Sequence, residues 1–153
     1  MTKEQVAKVE QRFSFASFTN EDAYHLAEMI IHDVRAKHKK SVGIRVVLHD
    51  VVVYQYLMDG KKDDVWLIRK QHTVEQFHHS SYYVYVENQE TLQHEHLKQE
   101  KYFAICGGGF PIIIRNKMVG SFCVSGLPHD EDHHVIVEAF ESLRKEQEHE
   151  FTN

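Results

Sequence analysis

The stretch from Cys106 to His134, CGGGFPIIIRNKMVGSFCVSGLPHDEDHH, limits what this chain can fold into more than any other. It holds five of the chain's seven glycines, both prolines and both cysteines, together with three histidines and three acidic residues. Apolar runs separated by turn residues read as strand, tight hairpin, strand, glycine corner and then helix. YFAIC is the incoming strand, and Gly107, Gly108 and Gly109 leave it through backbone angles that side chains would forbid. Phe110-Pro111 opens a strand, PIIIR. Asn116-Lys117 serves as the two-residue turn, because Asn tolerates positive φ. MVGSFCVSG returns antiparallel, and Ser125-Gly126 and Pro128 lead into HDEDHHVIVEAFESLRKEQEHE, a helix whose acidic first turn suits its dipole.

The rest of the chain supplies what such a hairpin packs against. Residues 1–12 read as a short amphipathic helical arm, and RFSFASF as an extended connector anchored by its phenylalanines. Thr19 or Asn20 caps a helix in which Ala23, Leu26, Ala27, Ile30, Ile31 and Val34 recur at helical spacing. GIRVVLH and VVVYQYL are two strands joined at Asp50. Beyond the Asp59-Gly60 turn, Asp63 or Asp64 caps a helix through Phe77. Trp66 on that helix reads as a core anchor rather than a stacking platform. SSYYVYVENQETLQ mixes strand propensity with helical flanks and reads as a second helix starting at Ser80 or Ser81. Residues 93–101 are polar and read as an exposed loop.

Five strands, two and then three, with helices between and at both ends, make an α+β domain with an antiparallel sheet. At 153 residues, 42% hydrophobic and 27% charged, the chain is one domain spanning 1–153, an arm at 1–12 and a core at 13–150. A formal charge of −5 gives no footprint for nucleic acid. No apolar run approaches the ~18 residues of a membrane span, and the polar N-terminus lacks a signal peptide's core. Two cysteines make no disulfide framework, so the reading is cytoplasmic.

Several groups could carry chemistry. GGGFP lacks the ending of a phosphate loop and leads into a strand rather than a helix, so it is either a sharp turn or a turn whose amides wall a pocket. Cys106 reads as a small buried thiol or, with a base close by, a nucleophile. His129 and His133 stand one helical turn apart, a spacing that suits a divalent metal once further ligands join. The same first turn is equally a place for capping carboxylates. Glu87 with Glu90, and Glu138 with Glu141, read as solvated faces or surface iron pairs.

RKQHTVEQFHHSSY, GGGFPIIIRNKMVGSFCVSGLP and DEDHHVIVEAF together resemble the haem-degrading-domain family of haem-binding protein S and the GlcG proteins, and above all its uncharacterised cytosolic branch. The resemblance runs from about Phe13 to Leu143. It implies a profilin-like, three-layer α/β/α domain with a five-stranded antiparallel sheet, assembled into symmetric homo-oligomers. It also implies functional or structural roles for Arg69, Lys70, Ser80, Ser81, Gly108, Pro111, Ser125, Gly126, Asp132 and His133, which fall on the shared pattern. The expectation is a cytoplasmic homo-oligomer binding a small anionic ligand or haem, with its pocket at Gly107, Gly108 and Gly109 and the turn from Ser125 to His133. Arg69 and Lys70 would face the anion, Ser125 and Gly126 would orient it, and Asp132 with His133 would be a proton-transfer pair. The cofactor stays open between haem, for which no histidine is selected as axial ligand, and a divalent metal, for which His129 and His133 are the candidates. The alternatives are a haem-degrading or small-acid enzyme, and an interaction module without catalysis.

Overall fold

Phenylalanines decide where the sheet begins. The computed structural model describes residues 1–152, with side chains through residue 150, and leaves Asn153 of the expected domain outside the described residues. Phe13, Phe15 and Phe18 pack with Phe110 and Phe140 at ring separations of 5.1–6.3 Å. That cluster pulls Ser14–Phe15 (β1) alongside Ile113–Ile114 as a short parallel strand. The connector predicted from RFSFASF is therefore both an anchor and a strand.

The elements in order are α1 (Lys3–Gln11), β1, α2 (Asn20–Ala36), β2 (Gly43–Leu48), β3 (Val51–Leu57), α3 (Val65–Phe77), α4 (Ser81–Thr91), a 3₁₀ turn (Glu95–Gln99), β4 (Gly109–Ile114), β5 (Lys117–Ser125) and α5 (His129–Thr152). The sheet runs β1-β4-β5-β2-β3. It has five strands, as expected, but it is mixed rather than purely antiparallel, because β1 joins it parallel. Ile44, Val46 and Leu48 turn toward the main core, shared with α2 and α5. The opposite face meets α3, where Leu67 lies under Gly43 and Arg45 Nε donates to Gln71.

YFAIC is not a strand. Its backbone is satisfied by side chains of α3 instead of by a neighbouring strand. Thr73 Oγ1 donates to Ala104 O at 3.0 Å and accepts from Ala104 N at 2.9 Å, and Arg69 Nε donates to Phe103 O at 2.8 Å. The β4–β5 turn sits one residue earlier than expected, on Arg115 and Asn116, both at positive φ as in a type I′ hairpin.

SSYYVYV becomes helix despite its strand propensity. Ser80 Oγ accepts from Tyr83 N at 3.0 Å, and the Glu10 carboxylate accepts from both Ser80 N and Ser80 Oγ. Glu10 also meets His79 Nδ1 at 2.8 Å, while Lys3 reaches Glu87 at 3.3 Å. The N-terminal helix is thus an arm clasped to the start and middle of α4.

A candidate ligand site at the glycine corner

The corner is built around a buried ion pair. Lys70, on α3, reaches under β5 and places Nζ 3.1 Å from Asp132 Oδ2 and 2.9 Å from Val124 O, with both side chains at most 3% exposed. Asp132 comes from the first turn of α5. Its Oδ1 also accepts from Leu127 N at 3.0 Å, and its Oδ2 from Gly126 N at 3.4 Å. Three elements meet at these two side chains. Burial pushes the Asp132 carboxyl above its usual range, against the pull of Lys70 and the Leu127 and Gly126 amides. Removing one partner of such a pair costs about 3–5 kcal/mol, because the other is left buried and charged.

The glycines make room for this pair. Gly108 has φ +121°, and a Cβ there would stand 2.5 Å from Lys70 Nζ and 2.4 Å from Val124 O. A Cβ on Gly107 would stand 2.4 Å from His129 O. Gly109 N donates to Ser81 Oγ at 2.8 Å, which ties the corner to the start of α4.

Above the pair lies a shallow depression of about 260 Å³, lined by Trp66, Lys70, Cys106, Ser125, Gly126, Leu127, His129 and Asp132. Of the predicted ligand residues, Lys70, Ser125 and Gly126 line it, as does Cys106. The three consecutive glycines stand behind it as backbone. Arg69 does not line it: Nε and Nη2 donate to Phe103 O and Glu100 O, and the guanidinium lies 4.0 Å from the Trp66 ring centroid. That stacking holds the indole at the rim, 45% exposed, so Trp66 is not the core anchor its lone occurrence suggested. The three-residue spacing of Trp66 and Arg69 on one helix is the signal that could have paired them.

Gly107 N donates to His129 Nδ1 at 2.9 Å. With that lone pair taken, the neutral imidazole carries its proton on Nε2 and is a donor, not a metal ligand. Burial lowers the His129 pKa, Lys70 adding to the effect and Asp130 opposing it, which keeps the ring neutral near pH 7. His133 is nine-tenths buried, stacked 4.6 Å from Tyr82, and its Nδ1 has no hydrogen-bond partner among the described residues. Burial, reinforced by His134 and His129, pushes it down to about 4. No hydrogen bond joins His133 to Asp132, whose oxygens are held by Lys70 and the turn amides. Among the described residues no three His, Cys, Asp or Glu side chains gather as a metal site. Glu87 holds Lys3 and His94, and Glu141 holds Arg12 and Arg144.

Cys106 is half-buried and unpaired, and burial pushes its thiol up although Lys70 and Arg69 pull it back. It is a neutral thiol at the edge of the depression rather than a thiolate nucleophile.

A mixed sheet with helices on both faces and a glycine corner sealed by a Lys–Asp pair defines an α/β domain with a shallow site at one end of its sheet. Residues 18–141 match the family described as haem degrading protein HbpS-like, and the chain belongs to that family. A UPF0303 protein of Psychromonas ingrahamii is 35% identical over 143 residues, 89% of each chain. Among solved structures, the Ybr137w protein superposes with a TM-score of 0.84 at 25% identity, over 95% of this chain and 89% of that one. A PduOC:heme complex superposes with a TM-score of 0.63 at 16% identity, over 83% and 94%, a likeness of fold alone.

Proposed function

We propose that this chain is a cytoplasmic protein that binds a small anionic ligand in the depression at the glycine corner, and that it works as a homo-oligomer. The observation that carries the reading is the Gly107 amide on His129 Nδ1, which leaves Nε2–H as a donor at a site that also offers the Ser125 hydroxyl and the Trp66 face. In this reading Lys70 and Asp132 hold the corner in shape, and Arg69 acts through Trp66.

Haem is the ligand suggested by the family description and by the PduOC:heme neighbour. The residues here do not fit it through its iron: His129 has its free lone pair occupied, His133 is buried against Tyr82, and burial holds Cys106 as a thiol. The depression of about 260 Å³ is also below the ~300–1,000 Å³ of sites that enclose a drug-sized molecule. A small carboxylate fits better than a macrocycle.

Trp66 is the only tryptophan, so its fluorescence reports on this site. Titration with benzoate, a flat monocarboxylate, is expected to change that emission saturably in the wild type. Affinity should fall about tenfold in His129→Phe and in Ser125→Ala, each of which loses one hydrogen bond to a charged group. Emission that does not respond, or affinity unchanged in both variants, sinks the reading.

A further inference from the structure

The opposite end of the sheet carries a larger cleft. β5 runs from Lys117 at this cleft to Ser125 at the glycine corner, so the two sites are separated by the length of the strand. The cleft holds about 580 Å³, a volume within the ~300–1,000 Å³ of small-molecule sites. It is framed by the β2–β3 turn, the β4–β5 turn and the flank of α3. Val47, Ile114 and Met118 give it apolar walls. Ser121 also lines it, only 1% exposed, and its hydroxyl, which acts on the Cys123 thiol, makes no well-formed hydrogen bond among the described residues. A hydroxyl buried without a partner is unfavourable, and one lining a cleft can be satisfied by an incoming polar group.

Four charged side chains line the same cleft: Arg115 and Lys117 from the β4–β5 turn, Asp50 from the β2–β3 turn, and Glu75 from α3. None of the four makes an ion pair or a side-chain hydrogen bond among the described residues. Two cations and two carboxylates cancel, so a ligand with a single net charge would gain from one pair and lose to the other. A molecule carrying both charges gains from both.

We propose that this cleft binds a small zwitterion with an apolar side chain, the class of the apolar α-amino acids. Its carboxylate meets Arg115, Lys117 and the Ser121 hydroxyl, its ammonium meets Glu75 and Asp50, and its side chain lies on Val47, Ile114 and Met118. The proposal is independent of the anion site at the glycine corner.

The test is a titration of ¹⁵N-labelled protein, followed by amide chemical shifts, with L-leucine and L-phenylalanine, then with N-acetyl-L-leucine and L-leucinamide. The free amino acids are expected to move the amides of Val47, Gly120 and Ser121 saturably while the corner amides of Gly107 and Gly126 stay in place. Each blocked form lacks one charge and should bind about tenfold more weakly. Arg115→Ala and Glu75→Gln, both at exposed positions, should each weaken leucine binding about tenfold without changing the melting temperature. The proposal is overturned if neither free amino acid moves those amides up to its solubility limit. It is equally overturned if the blocked forms bind as well as leucine, or if both variants bind it unchanged.

Discussion

His133 makes the fold sensitive to acid. Burial among Tyr82 and Phe110 holds its imidazole near 4, well below its ordinary 6.5, so the folded state binds a proton less readily than the unfolded chain does. A group depressed in this way contributes stability that is complete above about pH 6.5 and is lost as the pH falls toward 4. The depression corresponds to about 3 kcal/mol across that window. Urea unfolding of wild type and His133→Phe at pH 7 and pH 4.5 checks this: the wild type should lose about 2–3 kcal/mol more than the variant. Equal losses would show that His133 does not titrate between the two states. Asp132 is present in both proteins, so its own raised pKa cancels from the comparison.

The first helix holds to the body through side chains that come from distant parts of the chain. Glu10 caps α4 from outside, accepting from Ser80 N and Ser80 Oγ and meeting His79 Nδ1. Glu10→Ala leaves those donors without their charged partner, and the expected cost is about 2 kcal/mol of global stability. Faster amide exchange should appear over residues 3–11, read by hydrogen–deuterium exchange; unchanged protection there would show that α1 is held by apolar contacts alone. Most of these elements are legible in the sequence. The α2 stripe, the Thr19 cap, β2 and β3 all carry strong local patterns, and they form where those patterns place them. YFAIC has a strand's local pattern, but Thr73 and Arg69 take up its backbone groups, and no pattern within five residues could show that. Ser14–Phe15 has too little length to read as a strand and becomes one because phenylalanines 97 or more residues apart pack together. At the corner, glycines, Ser125 and the acidic turn marked the place. The tautomer of His129 could not be read, because it depends on the Gly107 amide 22 residues away.

At the scale of the whole molecule, β3 is an edge strand of seven residues, VVVYQYL, with no charge and with Val51, Val52 and Tyr56 exposed. An uncharged, exposed edge offers unpaired backbone groups to a second copy. If the proposed homo-oligomer uses this edge, Val52→Lys should shift the sedimentation coefficient toward the monomer at equal concentration while far-ultraviolet circular dichroism stays the same. A variant that sediments as the wild type does would place any self-association elsewhere. The glycine corner lies at the Ser125 end of β5, the sheet's central strand, and the proposed function rests on it. Imidazole ¹⁵N shifts of His129 at pH 7, with and without benzoate, test that function most directly. The proposed site requires a neutral ring protonated on Nε2, with the Nε2 resonance moving saturably as benzoate binds and Nδ1 staying on the Gly107 amide. An imidazolium, a ring protonated on Nδ1, or resonances that benzoate leaves in place would contradict it.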